Sequence, residues 1–278
     1  MKYILGIIGV IISQFAFSQA TRFVYQASMT PDSTKVTEKK IEKVYLDVDG
    51  QKTVFYSENR AKRDSIMARM RQTKNFDRSQ MQDLRSIIDY SVEKDLAKQN
   101  LNFKQRIARD QYVYEEQIPN TWKILSETAK IGNYQTQKAE QNYGGRTWYA
   151  WFTTDVPLQD GPYKFGGLPG LIVKLEDSKA DYSFDLMESK KIASMQSPES
   201  RGQDISIKKD KFLAMQKKFQ QDPSSFMNAN SNRMGGGQGA NAGGGQRQAP
   251  NPQQMQDMQK RMLDDIKSRN NPIEKVKE

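Results

Sequence analysis

Arg146, Trp148 and Trp151 stand within six positions of one another, and a guanidinium beside two indoles can hold a carboxylate, a sugar face or a peptide side chain. They are the candidate ligand- or partner-binding residues. The same three side chains equally fit a second arrangement, with both indoles in a core and Arg146 in a structural hydrogen-bond network. Asp155, Asp160 and Glu176 lie close by in sequence and could supply the carboxylate pair that glycoside hydrolysis uses. Each also fits a turn or surface role, so no catalytic residue is assigned.

Other chemistries are removed by composition. The chain has no His and no Cys, which deletes Ser-His-Asp and Cys-His catalysis, zinc-hydrolase sites and disulfides. No metal site and no cofactor is expected. Asp47-x-Asp49-Gly50 has the opening of a calcium loop without its later acids, and reads as a hairpin turn. The formal net charge of +10 favours anionic polysaccharide or an acidic receptor face through long-range attraction. Nucleic acid is not expected as a partner, because the cations are mixed with acids rather than gathered beside stacking aromatics.

Met1–Ser18 carries Lys2, an apolar run from Ile4 to Ile12 and the small residues Ala16 and Ser18, the pattern of a cleaved signal peptide. The run is too short to span a bilayer, so no transmembrane span is expected in the mature chain. The expected location is export to the periplasm or the outer-membrane periphery, with secretion left open.

The elements that must position these residues read mostly as strands. Phe23, Tyr25, Ala27 and Met29 alternate, Val44, Leu46 and Val48 alternate again, and Asp49-Gly50 turns the chain into Thr53–Tyr56. Residues from about 57 to 103 contain Ile66, Met67 and Met70, then Met81, Leu84, Ile87 and Ile88, at helical spacing, with Ser79 and Gln82 as a capping box. They are expected to form a helical insertion. Strands resume near Tyr112 and run through Arg146–Phe152 and Leu171–Leu175 to Tyr182–Leu186. Lys211–Gln221 reads as a helix. Residues 224–254 lack large apolar side chains and are expected to be disordered. Residues 255–278 are expected to form a C-terminal helix and a tail that returns to dock. The fold class is α+β, a mainly antiparallel curved sheet, open-barrel or bowl-like, with flanking helices.

Between two of these strands, Gly161-Pro162-Tyr163-Lys164-Phe165 leads into Gly166, Gly167, Leu168, Pro169, Gly170, Leu171 and Ile172. So many backbone exceptions imply a sharply shaped loop. Gly167 to Ile172 spell the motif of the GLPGLI family of exported Bacteroidota-type proteins, and Arg146, Trp148, Ala150, Trp151, Asp155, Val156 and Pro157 precede it in a similar order. Asn271-Pro272-Ile273-Glu274 resembles the family's closing segment. The chain is identified by this resemblance as a GLPGLI-like domain over residues 19–223. The resemblance implies a cell-envelope binding or accessory protein, with a TonB-dependent outer-membrane receptor or its cargo as partner. The alternatives are a carboxylate-dependent hydrolase of glycan or peptidoglycan and a structural envelope protein.

Overall fold

The computed structural model describes residues 19–75, 77, 79–108, 110–198, 203–229 and 252–275. The expected signal segment and positions 230–251 of the low-complexity stretch lie outside the described residues.

Twelve described strands form one sheet: β1 Ala20–Met29, β2 Lys40–Asp49, β3 Lys52–Ser57, β4 Tyr90–Asp95, β5 Asn100–Ile107, β6 Asp110–Gln117, β7 Lys123–Ile131, β8 Tyr134–Tyr143, β9 Arg146–Thr153, β10 Leu171–Asp177, β11 Tyr182–Ile192 and β12 Asp204–Ser206. Their order is β12-β6-β5-β4-β3-β2-β1-β11-β10-β9-β8-β7, and the sheet is open. Every pairing is antiparallel except β12 on β6. The β2–β3 hairpin turns at Asp49-Gly50 as expected, with Asp49 opposite Lys52 and Gly50 at φ +59°.

The alternating residues place the core on one face. Phe23, Tyr25, Ala27 and Met29 of β1 join Val44, Leu46, Phe55, Val92, Phe103, Trp148 and Phe184 in a single buried cluster. The connection from β9 to β10 packs into it. Tyr163 of that connection lies against Tyr90 of β4 and Phe103 of β5, while Phe165 lies against Tyr143 of β8 and Trp148 of β9. Strands β4 and β9 are six places apart in the sheet. At about 4.8 Å per strand a flat sheet would hold them roughly 29 Å apart. The sheet therefore curls around this loop, which plugs its concave side.

Among the described residues the α-helices are α1 Glu58–Thr73, α2 Lys209–Gln221, α3 Pro223–Ala229 and α4 Pro252–Lys267. Helix α1 starts at Ser57, whose side chain accepts from Arg60 N, and packs on the outer face over Tyr45 and Tyr56. The expected helical insertion over 57–103 is only partly helical: it is helical through Thr73 and in a 3-10 turn at Ser79–Met81, whereas residues 90–95 and 100–107 are strands β4 and β5. Glu42 takes the Ile87 N–H and Ser86 Oγ takes the Ile88 N–H, so side chains capture the backbone donors that a second helix would use. Positions 224–229 and 252–254, expected to be disordered, lie in α3 and α4.

Candidate functional site

Two glycines fix the entry of the plug loop into β10. A Cβ on Gly170 would lie 1.9 Å from the Thr153 carbonyl oxygen, and one on Gly167, at φ +81°, would lie 2.7 Å from Asn120. Gly170 admits no side chain without moving backbone, and at Gly167 the left-handed φ and the Asn120 side chain both oppose one. Leu168, Leu171 and Ile172 are buried beside them. The motif is a packing device at this point of the fold.

Two lysines enter this interior. Lys94 of β4 donates to Asp160 Oδ1 at 2.5 Å and to the carbonyls of Gly161 and Phe165 at 2.7 and 2.9 Å, with both side chains fully buried. Burial lowers the Lys94 pKa, and the Asp160 carboxylate opposes that shift. Lys164 of the loop donates to Tyr114 Oη at 2.8 Å and pairs with Glu116 and Glu274.

Glu274 belongs to the tail, which docks across the concave side. Its carboxylate accepts from Lys164 Nζ and Tyr163 Oη, each at 2.5 Å, from Tyr143 Oη at 3.2 Å, and pairs with Lys209 Nζ at 3.3 Å. Burial opposes its ionisation, but the ammonium groups of Lys164 and Lys209 outweigh burial and hold its pKa at about 2. Three residues earlier, Asn271 receives Arg146 Nη2 at 2.6 Å and donates to the Thr30 carbonyl at 2.8 Å. Glu116, Lys164, Lys209 and Glu274 carry no catalytic pattern in sequence. Only the Asn-Pro-Ile-Glu resemblance pointed here.

The predicted recognition trio does not share a surface. Arg146 is buried between Asp177, at 2.7 Å, and Asp181, at 2.9 Å, with its guanidinium 4.8 Å from the Tyr182 ring centre. Trp148 is fully buried against Phe165 and donates to the Tyr143 carbonyl. Trp151 lies on the opposite face of β9, where Lys138 Nζ stands 5.6 Å from its ring centre and 4.7 Å from that of Tyr149. An odd spacing along a strand forces this separation. The acids part in the same way. Asp155 is exposed, Asp160 is in the core, and Glu176 pairs with Lys174 on the outer face. No two of them converge.

Outside the plugged face, a cleft of about 500 Å³ lies between α1 and the sheet, and Arg22, Tyr45, Lys62, Ile66, Arg69 and Leu84 are among its walls. Arg22 is fixed by Asp47 through two hydrogen bonds of 2.6 and 2.8 Å and lies 4.1 Å over the Tyr45 ring. Lys62 and Arg69 are exposed at the mouth. Every charged residue lining this cleft is a cation. A second cleft, of about 350 Å³, mixes Lys52 and Lys98 with Glu93, Asp95 and Glu115. Among the described residues no cluster of three or more acids forms a metal-binding group, and no helix is long and apolar enough to cross a membrane.

No curated protein matches the chain. Its fold resembles two solved structures of PNGF-II, in P21 and C2 space groups, each with a TM-score of 0.52 and 16% identity over 71% of this chain. The chain spans about a third of their length, 33% and 32%. Residues 141–174, which hold β9, the plug loop and the start of β10, match a family model described as a protein of unknown function, Porph_ging. Over that segment the chain is similar to the Porph_ging family.

Proposed function

We propose that this chain is an exported cell-envelope binding or accessory protein that takes anionic ligands in the cleft beneath α1. The observation that carries the reading is the lining of that cleft: Arg22, Lys62 and Arg69 with the Tyr45 ring, against which stand two carboxylates behind the wall, Asp47 on Arg22 and Glu58 at 3.1 Å from Lys62, so the site keeps a cationic excess. Cations around a low-dielectric wall raise the local concentration of anions, and the net charge of +10 acts in the same sense at longer range. The concave side is filled by the chain's own loop and tail, which leaves the outer face for recognition. The GLPGLI resemblance supports export, and it adds an outer-membrane uptake receptor of the TonB-dependent kind, or its cargo, as the partner. The hydrolase alternative has no comparable support, because Asp155, Asp160 and Glu176 occupy three separate environments.

Calorimetric titration with an oligouronate and with a neutral glucan of equal length tests the reading. Binding of the uronate alone, weakened by salt and by the Lys62→Glu/Arg69→Glu double variant, is expected. Equal binding of the neutral glucan, or full binding by the folded double variant, removes this cleft as the site.

A further inference from the structure

The tail lies in a groove whose every wall reads a particular part of it. At Asn271 the side chain is held by Arg146 and Thr30, its N–H donates to the Pro31 carbonyl at 2.9 Å, and its carbonyl accepts from Tyr182 Oη at 2.5 Å. The Pro272 carbonyl accepts from Arg146 at 2.9 Å. Glu274 is read by Lys164, Lys209 and Tyr163, and Lys275 N–H donates to the Gly144 carbonyl at 2.7 Å. At the β8–β9 turn, a Cβ on Gly144 would lie 2.8 Å from Glu274, and one on Gly145 would lie 2.9 Å from Lys275. The turn leaves room for backbone only.

The two ends of the groove differ in charge. Arg146 faces two carboxylates of the body, Asp177 and Asp181, whereas Lys164 and Lys209 share one, Glu116. Without Glu274 that end holds two ammonium groups on a single carboxylate, a site that calls for one more carboxylate. The groove's reading points are an amide side chain, a proline carbonyl and a carboxylate three residues after the amide.

We propose that this groove is a recognition site for Asn-Pro-x-Glu segments, and that residues 270–275 of a second copy fill it when a chain's own segment is displaced. An intramolecular ligand competes at an effective concentration on the order of millimolar, so a wild-type chain keeps its groove occupied.

The test uses the full chain with Asn271→Ala and Glu274→Ala in its tail, and a fluorescent peptide of residues 268–275. Fluorescence anisotropy is expected to show saturable one-to-one binding to the tail variant. Apparent binding to wild type is expected to be about 100-fold weaker, as an occupied groove requires. The peptide carrying Glu274→Lys should bind neither. Should the double variant fail to fold, Glu274→Gln alone serves as the receptor chain. For the second copy, the tail variant is mixed with Gly144→Asn, whose asparagine tolerates the left-handed backbone while its Cβ expels its own tail. A one-to-one complex by light scattering is the expected result. Equal peptide binding to wild type and variant, binding of the Glu274→Lys peptide, or two folded variants that stay monomeric when mixed would each overturn the proposal.

Discussion

Lys94 Nζ and Asp160 Oδ1 lie 2.5 Å apart with neither side chain exposed, and this ion pair ties the plug loop to β4. Two desolvated charges are stable only together. Asp160→Leu or Lys94→Met alone should cost about 3–5 kcal/mol, since either leaves its partner buried and uncompensated. The Lys94→Met/Asp160→Leu double variant should recover part of that loss. Urea denaturation of the four proteins gives the comparison, and additive single effects would show that the pair is not coupled.

Acid should weaken the anchor of the tail. The Glu274 pKa falls from 4.5 to about 2 on folding, so its stabilisation is complete above about pH 4.5 and is lost as pH drops toward 2. The linkage is on the order of 3 kcal/mol. Glu274→Gln should be less stable than wild type at pH 7, and the gap should close near pH 2. A gap independent of pH, measured by denaturation across that range, would contradict this.

Gly170→Ala and Gly50→Ala form a matched contrast. The first places a Cβ 1.9 Å from the Thr153 carbonyl, whereas the second has nothing within 4 Å and meets only its positive φ. Costs of about 3 kcal/mol or more and about 1 kcal/mol follow. Thermal unfolding of both variants ranks them.

Trp148→Ala and Trp151→Ala should also separate. Trp148 is fully buried and its loss opens a core cavity, at about 3–5 kcal/mol. Trp151 is half-buried on the outer face beside Lys138, and its removal should cost roughly 1 kcal/mol. Chemical denaturation decides, and equal losses would show that the outer face is packed as tightly as the core.

The strands were legible because their alternation is local: Phe23 to Met29 and Val44 to Val48 declare a buried face without reference to anything distant. The grouping of Trp148 and Trp151 with Arg146 on one surface ignored the same alternation, since three positions along a strand put two side chains on opposite faces. The Met81 to Ile88 spacing misled, because Glu42, a residue of another strand, claims the Ile87 N–H. The Lys164 site was invisible for the same reason. Glu116, Lys209 and Glu274 look like any surface charges until the fold brings both carboxylates onto the ammonium groups of Lys164 and Lys209.

Asn271 rests on Thr30 and Pro31 of the first strand's exit, so the concave side is finished by residues made long after those it covers. A ribosome delivers the chain from its amino end, and Arg146 and Lys164 must therefore emerge and wait while the residues up to 275 are still being added. During that interval the body lacks its final clasp. A chain in that state is held together without the contacts of Asn271 and Glu274, and its body is less stable than the finished protein by what those contacts contribute.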